Sequence, residues 1–523
     1  MPKSAVLPSR EEIANRYKWN AASVFDGPGA WHDAWTQTRA DVLALERFQG
    51  HLGDGPGVLA DWFETRDDLF LRVYRLYVYA TMSQAVDTTD QGAGAMAEQA
   101  RELHGLFFGA TAFAQPEILD VGRAALDDWL AREPRLQTYA HHLDDLFRQG
   151  PHIRSHEVEE VLGMVRTPFS AVEATARILT NAEIAFEPAG PAHGEPVPIG
   201  QGNISQLLSS PDRALRRSAW EHYADGYLAF QSTLASNFGA AVKQGVFMAR
   251  ARRFDSALEA ALFEDNIPVD VFHNLVATTR EHLPLWHRYW AVRRRILGVD
   301  ELHPYDIWAP LTSAEPDLPY EQAVDWIAEG MAPLGDEYAD VLRRACLEEG
   351  WVDVFPNRGK RQGAFSTGGI GTLPFIMMSY VRDLRSLSTL AHELGHSMHS
   401  YYTSHTQPIV YIPYTLFVAE VASNFNQAMV RAHLLATHDD PLFQIRLIEE
   451  AMSNFHRYFF VMPTLARFEL IVHERAERGE PLPAGDLIAI MADLFAEGYG
   501  DEMTFDRDRV GITWAQFGHL YVP

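Results

Sequence analysis

Apolar residues recur along most of this chain at intervals of three and four, the spacing that places them on one face of an α-helix. From Trp220 the series runs through Tyr223, Tyr227, Phe230, Leu234 and Phe238, a stripe that predicts one long helix packed on a core. The same spacing returns at Leu465, Phe468 and Val472. Ser210-Pro211-Asp212, just ahead of the first series, is a start signal, because short polar side chains accept hydrogen bonds from the open amides of a first turn. A third stripe, Leu387, Leu390, Leu394 and Met398, predicts another helix, with Ser386 or Ser388 able to cap it.

Two stretches break this pattern. Residues 185–211, AFEPAGPAHGEPVPIGQGNISQLLSSP, are dense in Pro and Gly and read as a loop or short hairpin between two helical lobes. They set a domain boundary near residue 200, dividing the chain into 1–200 and 201–523. The run PFIMMSYV (374–381), approached through Gly368, Gly369 and Gly371, suits a buried strand or a short helical segment. The expected fold is mainly α.

Composition narrows the function classes. With 523 residues, 47% of them hydrophobic, the chain can bury a sizeable core and is not a disordered polymer. Its 44 basic and 70 acidic residues sum to −26, a field that repels phosphate backbones, so no nucleic-acid partner is expected. Cys346 is the only cysteine, which excludes an intramolecular disulfide and fits a reducing compartment. The N-terminal MPKSAVLPSREEIANRYKWN carries charges throughout, unlike a signal peptide, and no uncharged apolar run reaches the ~18 residues of a membrane span. A cytoplasmic protein without membrane attachment is the expectation. Arg293-Arg294-Arg295 reads as a solvated or carboxylate-paired face.

The chemistry lies in SLSTLAHELGHSMHS (386–400). His392 and His396 are four apart, so a helix projects both imidazoles from one face, where they can share a zinc ion. Glu393 beside them is placed to take a proton from the attacking water. Gly395 in a helix interior costs about 1 kcal/mol relative to Ala, which points to another backbone packed closely there. A third ligand should follow, leaving one position open. The metzincin pattern fails, because the places three and six residues after His396 hold His399 and Tyr402. Glu420, 24 residues beyond His396 in FVAEVASNFNQ, is the other common solution. A carboxylate among Phe417, Val418, Val421 and Phe425 would be costly to bury without a partner; a zinc ion or a buried salt bridge would supply one.

HELGHSMHS followed by FVAEVASNFNQ resembles the M3 family of zinc metallopeptidases, and within it the oligoendopeptidase F branch. GAFSTGG (363–369) with PFIMMSY is similar to the family's glycine loop and strand, PTLARFELIVHERAERGEPL (463–482) to its later helix, and RYKWNAASVFDGPGAWHDAW (16–35) to the branch's opening. The resemblance implies a mainly α, elongated, two-lobed helical metallopeptidase with a deep channel and a small β element beside the zinc helix. It implies an N-terminal lobe over 1–200 and an M3-type catalytic domain over 201–523, cleaving short peptides. It puts one zinc ion on His392, His396 and Glu420, makes Glu393 the general base, and retains His519 as a catalytic candidate. It lays the 363–369 loop and the 374–381 strand along the substrate backbone, and makes His399 a structural group, or one that orients its neighbours by hydrogen bonding, rather than a ligand.

Two departures from the family pattern bear on activity. The family's AEVAS segment usually ends in glutamate, where this chain has Gln427, seven residues and two turns beyond Glu420. ITWAQFGHLYVP, the last twelve residues, resembles a segment that in the family continues into a tyrosine-rich helix donating hydrogen bonds to the tetrahedral intermediate. The expectation from that ending is a catalytic domain short of its C-terminal part. The alternative function is then a zinc-binding, catalytically impaired peptide-binding protein.

Overall fold

The computed structural model describes residues 7–312 and 316–521. They pack as two compact units, each assembled from two stretches: Met1–Gly150 with Ala314–Leu447, and Pro151–Ser313 with Ile448–Pro523. Residue 200, the boundary expected from the sequence, falls inside the second unit. Both units are helical, and among the described residues a small sheet of three strands belongs to the first. Among the described residues no helix is long and apolar enough to cross a membrane.

In the first unit, helix α1 (Pro56–Val86) starts with proline in its first turn, where the missing amide leaves no bond unmade. It buries Trp62, Phe63, Val73 and Leu76 and packs on the helix Gln91–Thr111. Helix α2 (Tyr320–Met331) leads to strands β1 (Val352–Asp353), β2 (Phe365–Gly368) and β3 (Pro374–Met377). Strand order is β1-β3-β2; β1 runs parallel to β3 and β2 antiparallel to it, with Ser366 opposite Ile376. All four β3 residues are buried, so PFIM is the strand that its apolar run allowed. Behind the sheet lie α3 (Leu384–Thr406) and α4 (Leu416–Thr437), packed on each other. The stripe Leu387, Leu390, Leu394 and Met398 is fully in the core, with Ile327, Trp351 and Val430 around it.

The start of α3 differs from expectation. Asp383, not Ser386 or Ser388, is its cap: the carboxylate accepts from Ser386 N at 2.7 Å. Both serines lie inside the helix and are buried. Ser386 Oγ instead accepts from Val381 N at 3.1 Å, and Ser388 Oγ from Gln427 Nε2 at 2.8 Å.

In the second unit, Asp212 caps the helix Arg213–Leu228 by accepting from Ala214 N and Leu215 N, as the start signal predicts. The stripe from Trp220 faces the core, with Tyr227, Leu234 and Phe238 buried. It runs over two helices, however, Arg213–Leu228 and Gln231–Ala251. At Phe230, φ −111° and ψ 14° leave the helical region, and its amide donates to Tyr227 O, three residues back. The stripe keeps its phase across this interruption, so periodicity does not register it. The Pro- and Gly-rich stretch closes a short hairpin, with Ala189 and Val197 exchanging both backbone hydrogen bonds at 2.8 Å. Arg293 is a further correction: it is buried, donating Nε to Asp306 O at 2.9 Å, while Arg294 pairs with Glu502 at 3.2 Å.

Candidate metal centre

The site is built where the backbones of α3 and α4 come close together at Gly395. A Cβ on residue 395 would lie 2.5 Å from Ser423 Cα and 2.6 Å from Ala422 O, so any side chain there would push the two backbones apart. Gly395 removes that obstacle. This is the close backbone approach that its cost in a helix interior implied.

One turn of α3 aims His392 and His396 to the same side, with ring centroids 4.9 Å apart. Because α4 comes so near, Glu420 reaches both rings: Oε2 lies 3.3 Å from His392 Nε2 and Oε1 3.7 Å from His396 Nε2. The three donor atoms all fall within 4.8 Å of one another, a group that could hold a metal ion. Two imidazole nitrogens and one carboxylate oxygen suit zinc.

The supports behind these groups are polar and specific. His392 Nδ1 is 3.1 Å from Gln427 Oε1, and the Gln427 amide donates to Ser388 Oγ. A proton on Nδ1 leaves the Nε2 lone pair of neutral His392 on the Glu420 side. Ser423 Oγ, one turn on from Glu420, lies 2.9 Å from Oε2 and donates to it. Burial holds the His396 pKa below its ordinary value, against the opposing pull of the Glu420 carboxylate.

Glu420 itself corrects one sequence argument. Its side chain is 49% exposed, and Phe417, Val421 and Phe425 also face solvent. Their apolar run therefore imposes no burial cost on the carboxylate, and the case for Glu420 rests on its distances to the histidines.

Glu393 is the buried member, 6% exposed. Burial, and then the nearby Glu420 carboxylate, push its carboxyl up to about 8, while a backbone hydrogen bond from Ser366 pulls the other way. Ser366 stands on β2, at the sheet edge away from β1, with its hydroxyl 2.8 Å from that of Ser397 on α3. The loop after β2 closes on the same helix: Gly369 has φ +92°, and a Cβ there would sit 2.8 Å from Ser400 Cβ. Glycine meets both demands.

His399 stacks on Tyr414 with ring centroids 3.8 Å apart, and its buried Nδ1 has no hydrogen-bond partner among the described residues. Its visible contact is thus aromatic packing, a structural one. His519 lies in the second unit, exposed in the turn Gly518–Tyr521; Pro523, where the ending was expected to matter, lies outside the described residues. Sequence reasoning missed Ser366 and Ser423. Ser423 had a signal, three residues after Glu420 on a helix; Ser366 had none, because only the folded sheet carries it to Glu393.

Residues 206–522 match the family model described as peptidase family M3, and residues 117–186 match that described as oligopeptidase F. The chain is 34% identical to oligopeptidase PepF of Bacillus subtilis over 520 residues, covering 99% of this chain and 77% of that one. It is 32% identical to the group B oligopeptidase PepB of Streptococcus agalactiae over 513 residues, 98% of this chain and 85% of that one. Among solved structures, the oligoendopeptidase-F of Enterococcus faecium superposes with a TM-score of 0.71 at 27% identity, covering 96% of this chain and 84% of that one.

Proposed function

Because the chain belongs to peptidase family M3, in its oligopeptidase F branch, and is a metallopeptidase of that family, we propose that it cleaves peptide bonds within short oligopeptides. In this reading one zinc ion is held by His392, His396 and Glu420, and Glu393 is the general base. The observation that carries it is the convergence of three donor atoms within 4.8 Å, one residue along the helix from a buried carboxyl. The Gln427 contact supports it, since it leaves the His392 nitrogen nearest Glu420 free to ligate.

A bound zinc ion would supply Lewis acidity, polarising the scissile carbonyl and the attacking water. A cation held beside Glu393 would draw its carboxyl back toward the carboxylate form, in which it takes the proton from that water and returns it to the departing amine nitrogen. Buried and held by the Ser366 amide, it keeps a fixed orientation while it does so. The outer strand β2, beside α3, has its Ser366 amide on Glu393, which ties the sheet to the general base. His519 is kept as a candidate on its sequence match alone, and His519→Ala with unchanged turnover removes it.

Metal analysis of protein purified without chelators tests the reading: about one zinc ion per chain is expected. Glu393→Gln should keep the ion while cleavage of a quenched fluorescent peptide falls about 100- to 10,000-fold. Zinc-free wild-type protein overturns the metal assignment. A zinc-loaded wild type that binds the peptide without cutting it overturns the activity.

A further inference from the structure

We propose that Gln427 is a positioning residue which fixes the tautomer of His392 through a neutral amide anchored on Ser388, and that this neutral relay holds metal affinity below what a carboxylate at position 427 gives. The inference rests on the metal-site reading above.

Gln427 and Ser388 are both 8% exposed, so the relay lies largely out of water, where hydrogen-bond direction matters most. An amide has two unlike ends. With Nε2 donating to Ser388 Oγ at 2.8 Å, Oε1 is the end that faces His392 Nδ1 at 3.1 Å. That end can only accept, so Nδ1 must carry the proton and Nε2 is left with its lone pair. Turned over, the amide would present its NH₂ to Nδ1 and favour the tautomer protonated at Nε2, which cannot ligate. In the orientation seen, the bond to Ser388 anchors the amide with its competent end toward His392. A carboxylate would need no such anchor, since both its oxygens accept. Being charged, it would also draw the Nδ1 proton more strongly and make Nε2 a better donor.

The test is zinc affinity, measured by competition with a chromophoric chelator, for wild type, Gln427→Glu, Gln427→Leu and Ser388→Ala. Gln427→Leu should weaken zinc binding about 10- to 100-fold. Gln427→Glu should tighten it about fivefold or more, the sign that a packing role would not produce. Ser388→Ala should weaken it by a smaller factor than Gln427→Leu. The cobalt(II)-loaded proteins should show visible absorption bands that shift in the order Leu, Gln, Glu.

If Gln427→Leu does not fold, the Glu and Ala variants decide the matter. Gln427→Glu binding no tighter than wild type overturns the proposal, as does Gln427→Leu within twofold of wild type. Wild-type protein that takes up no zinc overturns the metal-site reading itself, and this assignment with it.

Discussion

His392 and His456 are both imidazoles withdrawn from solvent on helices, yet the two units treat them in opposite ways. His392 has Gln427 at one nitrogen and Glu420 at 3.3 Å from the other. His456, in the second unit, is ringed by Trp286, Trp290, Trp308 and Phe460, and neither of its nitrogens finds a hydrogen-bond partner among the described residues. Burial holds its pKa down to about 3. A buried polar ring with both ends engaged is equipped for chemistry; one with neither engaged acts as a slightly misfitted core residue, and its desolvation is a cost to stability. Burial of a histidine therefore says little about its role until its two nitrogens are accounted for.

One substitution made at both places separates these cases most widely. His392→Phe should abolish stoichiometric zinc uptake, read by metal analysis, because one of three donor atoms is gone. The same change at His456 keeps an aromatic ring among Trp286, Trp290 and Phe460 and removes two unpartnered nitrogens. It should stabilise the protein by about 1–2 kcal/mol at pH 7, smaller than the metal effect and opposite in sign.

Converting the first environment into the second comes next in size. A methyl group at 395 meets Ser423 Cα at 2.5 Å, so Gly395→Ala must move α4 away from α3 and carry Glu420 with it. Clashes of this kind cost about 1–3 kcal/mol. The expected result is a lower melting temperature together with weakened zinc binding. A variant with wild-type zinc affinity would mean that Glu420 follows its ligands whatever the helix spacing.

The pH dependence of the His456 comparison has a definite sign. His456 titrates near 3 when folded and near 6.5 when unfolded, so between those values the unfolded chain holds the extra proton. Stability then rises with pH across that window, by about 1.4 kcal/mol per unit at most, and is fully present above 6.5. Denaturation of His456→Phe should show a shallower loss on going from pH 7 to 5 than wild type does. Equal slopes would place the acid sensitivity elsewhere.

How much of this was legible in the sequence follows from the range of each interaction. The histidine pair, the apolar stripe of α3 and the meaning of Gly395 were readable, because helical spacing is local and a glycine inside a helix carries a cost that needs a reason. The break at Phe230 was not, since a stripe that keeps its phase looks unbroken. The surroundings of Glu420 were misjudged for a different reason. Phe417, Val421 and Phe425 are apolar and yet exposed, and a sequence shows how greasy a face is without showing what covers it. The two-stretch build of each unit was hidden as well, because a single cut in the Pro- and Gly-rich loop assumes that neighbours in sequence stay neighbours in packing.

The smallest effect tests whether partner counting alone suffices, or whether burial must weigh in. Asp383 closes the first turn of α3 by accepting from Ser386 N at 2.7 Å, and its side chain is only partly buried. Water can replace the lost acceptor there, as it cannot at His456. Asp383→Ala should therefore cost about 1 kcal/mol, and Asp383→Asn, which keeps an acceptor oxygen, much less. The loss is local, so the sensitive measurement is hydrogen exchange at the amides of residues 384–388, expected to speed up about fivefold for Ala. Zinc affinity should stay at the wild-type level, because His392 lies two turns further along a helix whose core stripe remains in place. Wild-type exchange in the Ala variant would show that the serine at 386, whose hydroxyl accepts from Val381 N, anchors the helix start by itself.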